Sequence, residues 1–162
     1  MSKISHILLM TSYQDGSGYQ ENILSKKHVQ LGYDVTLISV AKEGQLPDSY
    51  INTDGVKVEI LRSRSHWIRF IPYIRGLIPH SKGFRKKLDE VSPDILFVHG
   101  LAFPEVSDIV KYKRKNPNVR IYADNHQDYY NSPINSFRLK INTFTYLKYY
   151  AQSLANVCDH IW

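Results

Sequence analysis

The sequence predicts an α/β fold, a Rossmann-like doubly wound parallel sheet in a single domain. Three observations carry this. Ile4, Ile7, Leu8, Leu9 and Met10 form a short apolar run, as expected of a strand buried on both faces. A polar turn holding Gly16 and Gly18 follows, then a helical stretch to Leu31, then Gly32 and a second apolar run over 34–40. The alternation continues, with further strand-like runs at 56–61, 95–98 and 119–123.

In order, the first strand is expected over 4–10. The first helix begins at Ser17 or Gly18 and ends at Leu31, with Ile23, Leu24, Val29 and Leu31 as its apolar positions. The second strand covers 34–40, and 41–55 is a polar loop with Gly44, Pro47 and the turn pair Asp54-Gly55. The alternating run Val56-Lys57-Val58-Glu59-Ile60-Leu61 predicts a third strand near an edge. In the following segment Pro72 and Pro79 break any long helix, so a loop or short helix precedes a second helix from about Ser81. Ile95-Leu96-Phe97-Val98 predicts a central buried strand ending at His99-Gly100. A short helix over 104–115, with Pro104 in its first turn, leads to a strand over 119–123. The stretch 134–155, rich in Tyr and Phe, reads as a long helix, and 158–162 starts another strand. Crossover rules give the order three-two-one-four-five for the first five strands. That order brings four loops to one sheet edge: 11–18, the loop after Val40, His99-Gly100, and 124–128.

Composition bounds the function classes. The chain has 162 residues, 43% hydrophobic and 22% charged, enough for one domain with a core and too few for two full α/β domains. Cys158 is the single cysteine, which excludes an internal disulfide and suits a reducing compartment. The first apolar run is too short for a membrane span or a secretory signal, so a cytoplasmic location is expected. The net charge of +6 is localised: 62–87 holds eight basic and no acidic residues, while the remaining 13 basic residues face all 15 acidic ones. One anionic partner meeting one segment is the implied arrangement.

Gly16-Ser17-Gly18 is the first candidate site. Such a turn lets a helix N-terminus approach a phosphate through backbone N–H groups; the same residues also suit an ordinary flexible turn. A dinucleotide fingerprint fits poorly, because Glu21 stands where a third Gly or Ala is needed and several residues separate the strand from Gly16. Glu43 is placed to imitate the ribose-binding acid, but those two defects argue against NAD. His126 and Asp128 sit at a strand end, where an imidazole can transfer protons or donate to a sugar hydroxyl. His99 is a similar, weaker candidate that could equally hydrogen-bond a neighbouring loop. A metal site from His99, His126 and Asp128 lacks ligand spacing, so no metal is expected. Arg62, Arg64, Trp67, Arg69, Phe70, Arg75, Arg85, Lys86 and Lys87 mix cations with apolar rings, as in an interfacial membrane segment. A core-packed helix pair with a solvated basic face is the alternative. Nucleic acid is not expected, because no motif of a nucleic-acid module accompanies the charge. The Tyr/Phe stripe over 137–150 reads as core.

With these pieces the chain resembles the N-terminal, acceptor-side domain of a GT-B glycosyltransferase of the family-four retaining type. The carriers are the opening strand with its Gly-containing loop, and the run from Leu31 to Leu37, similar to a family pattern with Gly-His-x-Val. To these add Pro93 to Gly100, the strand leading to His126, and the last helix running into Cys158-Asp159-His160-Ile161. Tyr33 replaces the usual His after Gly32, and Ser17 stands where many members have Gly. The resemblance implies acceptor binding by this half and nucleotide-sugar binding by a C-terminal domain absent from the chain, so that this half alone is inactive. Gly16, Ser17 and Gly18 would close over the donor diphosphate, His126 would contact the transferred sugar or the acceptor, and His99 and Asp128 would line the acceptor pocket. The acceptor would be a polysaccharide or lipid-linked sugar, reached by docking the basic segment on the anionic inner face of the cell membrane. Two other readings are a non-catalytic membrane-associated subunit that docks a separate donor-binding partner, and a phosphate- or nucleotide-binding α/β module.

Overall fold

The structure, a computed structural model, describes residues 1–41, 46, 48–64, 80–101, 103–125 and 148–162. His126, Asp128, Trp67, Arg69, Phe70 and Arg75 lie outside the described residues, as does most of the Tyr/Phe-rich stretch. The strands are β1 (Lys3–Leu8), β2 (Asp34–Val40), β3 (Asp48–Ile51), β4 (Lys57–Leu61), β5 (Ser63–Arg64), β6 (His80–Ser81), β7 (Ile95–His99), β8 (Arg120–Asp124) and β9 (His160–Ile161). The helices are α1 (Gln20–Gln30), α2 (Phe84–Val91), α3 (Val106–Lys115) and α4 (Lys148–Ala155).

Seven strands form one sheet in the order β3-β4-β2-β1-β7-β8-β9, and β5 pairs with β6 separately. All neighbours in the large sheet are parallel except β3, which runs antiparallel to β4. The expected order of the first five long strands is therefore observed, and the fold is Rossmann-like. Two short pairings were not anticipated. Strand β3 arises within the expected polar loop over 41–55, because Tyr50 pairs with Val58 across a turn closed by Asn52. It takes the edge expected for β4. The β5–β6 ladder lies in the basic segment and delays α2 to Phe84.

Strand alternation divides the core. On one face Ile7, Leu9, Ile38, Val40, Leu96, Val98, Ile121 and Ala123 pack with Phe84 and Leu88 of α2, Ile109 of α3 and Leu154 of α4. Glu105, buried at the start of α3, accepts hydrogen bonds from the Ser81 backbone N–H and hydroxyl, which ties β6 to that layer. On the other face Leu8, Val35, Leu37, Val58 and Ile60 pack beneath α1 with Val29 half-buried. Here the sequence expectation is corrected. Ile23 and Leu31 are 59% and 65% exposed, while Asn22 and Ser25 are the buried residues of α1. Asn22 is held inward by Tyr13, Gln14 and Ser17 of the loop after β1, Ser25 donates to the Asn22 carbonyl within the helix, and His28 meets His6 of the sheet.

Candidate functional site

The loops after β1, β2, β7 and β8 emerge at the carboxyl edge of the parallel strands, where ligands bind in sheets of this kind. The loop after β1 is a polar knot. The Tyr13 backbone N–H donates to Ser39 Oγ at 3.0 Å, and that hydroxyl donates to the Thr11 carbonyl at 3.3 Å, which pins the loop to the end of β2. Tyr13 Oη accepts from Asn22 Nδ2 at 3.0 Å and Asn52 Nδ2 at 3.2 Å and donates to Asp15 Oδ1 at 3.3 Å. Burial and the Asp15 carboxylate both push the phenol upward, so Tyr13 is a neutral hub at all physiological pH.

The Gly16-Ser17-Gly18 turn hangs from this knot. Ser17 N–H donates to the Gln14 carbonyl and Ser17 Oγ to Asn22 Oδ1 at 2.9 Å. Gly16 has φ of 70°, a left-handed conformation that a side chain would strain. This turn is why α1 starts at Gln20, with Tyr19 as N-cap, rather than at Ser17 or Gly18. Glu21 occupies the first turn of α1, so its carboxylate competes with any anion at the helix N-terminus.

Gly100 closes the loop after β7. Its φ is 94°, and a Cβ there would stand 2.7 Å from Met10 Sδ, so the loops after β1 and β7 touch only because this residue lacks a side chain. Gly100 N–H donates to the Asp124 carbonyl at 3.1 Å and approaches Asp124 Oδ1 at 3.3 Å, joining the loop after β7 to the end of β8.

Behind this edge lies a feature the sequence reading missed. His28 Nδ1 is 2.9 Å from His6 Nε2, His6 Nδ1 is 2.9 Å from His99 Nε2, and His99 Nδ1 is 2.8 Å from Asp124 Oδ2. The histidines come from α1, β1 and β7 and the carboxylate from β8. His6 is fully buried, with Phe97 stacked on its ring at a centroid distance of 5.3 Å. Burial first, and then the His99 and His28 imidazoles, lower its pKa well below the ordinary histidine value; burial and then His99 lower that of His28. One signal was visible: His6 sits at a core-facing alternation point of an apolar strand.

His99 was expected to line a pocket. It is 4% exposed and both its ring nitrogens are engaged, so it stands behind the edge rather than at it. The basic residues on α2 are ion-paired: Arg85 with Asp89 at 3.2 Å, Lys86 with Glu90 at 3.4 Å, and Lys87 with Glu59 at 3.1 Å and Glu90 at 3.0 Å. Burial opposes ionisation of Glu59, but Lys57 and Lys87 outweigh it and hold the carboxyl below its usual range. Arg62 is exposed, and the backbone of Arg64 lies in β5. No described helix is long and apolar enough to cross a membrane, and among the described residues no group of three or more His, Cys, Asp or Glu side chains is arranged to hold a metal ion.

No family model and no curated protein matches this chain. A solved structure does: sucrose-phosphate synthase from Thermosynechococcus elongatus aligns with a TM-score of 0.59 at 10% sequence identity. The alignment covers 99% of this chain and 42% of that protein, so the chain spans less than half of its length. At this identity the likeness is one of fold alone.

Proposed function

We propose that this chain is the acceptor-side half of a nucleotide-sugar-dependent glycosyltransferase, with the donor-binding domain outside these 162 residues. The observation that carries the reading is the alignment of nearly the whole chain with less than half of a glycosyltransferase. The motifs that resemble the family-four retaining type refine it. The knotted turn at Gly16, Ser17 and Gly18 supports a rigid cleft wall, with a donor diphosphate brought to it from the opposite domain. Glu21 argues against tight phosphate binding by this half alone. His126 is proposed to contact the transferred sugar or the acceptor, and Asp128 to line the acceptor pocket, with His99 buttressing that wall from behind. A saccharide or lipid-linked acceptor suits this half, and neither a metal nor another cofactor is part of the proposal.

The test is the complete native gene product incubated with a panel of nucleotide sugars. Hydrolysis or transfer from one of them, with weak nucleotide binding by the 162-residue chain, is the expected result. A complete product that neither binds nor turns over any nucleotide sugar overturns the reading. Tight nucleotide binding by the 162 residues points instead to a self-sufficient nucleotide-binding module.

Peripheral membrane contact through 62–87 is a separate proposal. The pairing of Arg85, Lys86 and Lys87 with acids reduces their part in it and leaves Arg62, Arg64, Trp67, Arg69, Phe70 and Arg75 as its core. Flotation with anionic vesicles that weakens as salt rises is expected. Equal partition to neutral and anionic vesicles counts against it.

A further inference from the structure

The four-membered chain from His28 to Asp124 obeys a strict donor order. An ionised carboxylate only accepts, so His99 Nδ1 carries a proton toward Asp124. With His99 neutral, its Nε2 is an acceptor and His6 Nδ1 must donate to it. His6 Nε2 is then an acceptor and His28 Nδ1 must donate. All three neutral imidazoles are thus held as the Nδ1–H tautomer, each pointing its proton toward Asp124. The remaining nitrogen, His28 Nε2, ends the chain on a half-buried residue at the outer layer.

One added proton reverses every donor without breaking a hydrogen bond. A solvent proton binds His28 Nε2, the Nδ1 proton of His28 passes to His6 Nε2, and the Nδ1 proton of His6 passes to His99 Nε2. His99 then carries both ring protons, while His6 and His28 end as Nε2–H tautomers. The positive charge comes to rest at 2.8 Å from Asp124 Oδ2 rather than on fully buried His6. We infer that His28, His6, His99 and Asp124 form a one-proton switch, in which a proton taken up at His28 is stored as an imidazolium on His99, ion-paired to Asp124. Asp124 also accepts from Gly100 through its backbone carbonyl and Oδ1, so the stored charge tightens the junction between the loop after β7 and the end of β8.

The surroundings favour this resting place. Asp124 on β8 is the carboxylate that meets the chain. From the segment before β2 the Tyr33 ring meets His28 edge-on at 6.0 Å, and from β7 the apolar Phe97 ring lies against all three imidazoles. Burial and neighbouring imidazoles oppose a charge on His6 or on His28. The inference rests on this geometry and is independent of the catalytic reading above.

Nitrogen-detected NMR of the full 162-residue chain, labelled at histidine, tests it. At pH 8.5, about two units above the ordinary histidine value, all three residues are expected as Nδ1–H tautomers. On acidification His99 becomes doubly protonated in the same step in which His6 and His28 switch to Nε2–H, and exchange of the Gly100 amide slows. An Nε2–H tautomer at His6 or His99 at high pH overturns the inference. So does protonation of His99 with the tautomers of His6 and His28 unchanged, the behaviour of a merely structural cluster. Asp124→Asn keeps an acceptor for His99 Nδ1–H but removes the charge, so the midpoint of the coupled step is expected to fall by about one pH unit or more. An unchanged midpoint refutes charge storage at His99; the tautomer measurement on the natural sequence stands whether or not that variant folds.

Discussion

Ile7 and His6 are neighbours on β1 that face opposite sides of the sheet, and the two sides are built on different principles. The side of Ile7 is a continuous apolar cluster filled by α2, α3 and α4, with the Ser81–Glu105 contact as its buried polar tie. The side of His6 combines a smaller apolar cluster with hydrogen-bonded polar groups: Tyr13, Asn22, Ser39 and Asn52 at one end, His6, His28, His99 and Asp124 at the other. Apolar burial is non-directional and is weakened by lost volume rather than by a lost partner. A buried polar network demands that every donor find its acceptor, and it responds to protonation. The apolar side holds the fold, and the polar side sets the loops at the carboxyl edge.

The difference is open to direct attack. The largest effect is expected from Leu88→Ala, which empties a fully buried site on the apolar side; a loss of about 2–5 kcal/mol in urea unfolding is expected. A loss below about 1 kcal/mol would mean that this side is not the scaffold. Next comes Gly100→Ala, which forces a side chain into φ of 94° and onto Met10 Sδ. It should cost about 1–3 kcal/mol. Adding Met10→Ala should recover part of that loss, since it relieves the contact but not the backbone strain.

Tyr13→Phe removes an acceptor shared by Asn22 and Asn52. Both amides keep another partner, the Gln14 carbonyl and Asp15 Oδ1. A loss of about 1 kcal/mol is expected, with faster hydrogen exchange confined to the loop after β1. Exchange that quickens equally on both sides of the sheet would erase the distinction between them.

The mildest perturbation is pH. His6 and His28 have lowered values in the fold, so the unfolded chain binds more protons and stability falls as pH drops through the ordinary histidine value of about 6.5. Glu59 and Asp89 have lowered carboxyl values, so their contribution is lost only in the carboxylate range below about pH 4.5. Urea midpoints measured across pH should therefore fall in two separate windows. A flat profile between pH 7 and 5 would show that the histidine chain is not linked to folding.

Much of the architecture was legible in the residues. Long apolar runs and right-handed crossovers suffice to order β4, β2, β1, β7 and β8, because a strand buried on both faces leaves few arrangements. Strand β3 was not legible: Asp48-Ser49-Tyr50-Ile51 is short and polar, and it becomes a strand only by pairing with β4. The orientation of α1 was misread for a related reason. Ile23 and Leu31 look like core positions, yet the inward residues are Asn22 and Ser25, with Asn22 bonded to the loop after β1, and His28, bonded to His6 of the sheet. The candidates His126 and Asp128 fall outside the described residues, and His99 is buried behind the carboxyl edge with both ring nitrogens engaged.

Residue order alone dictates the fold class, the order of the long strands, the edge at which the loops converge and the turn at Gly16 to Gly18. Those features follow from local periodicity and from the conformational freedom of single residues. It takes the folded sheet to bring His6, His28 and His99, separated in sequence by as many as 93 residues, into one hydrogen-bonded chain. Hydrogen bonds act over about 3 Å, and no pattern along the chain encodes which distant rings the sheet register will bring within that range.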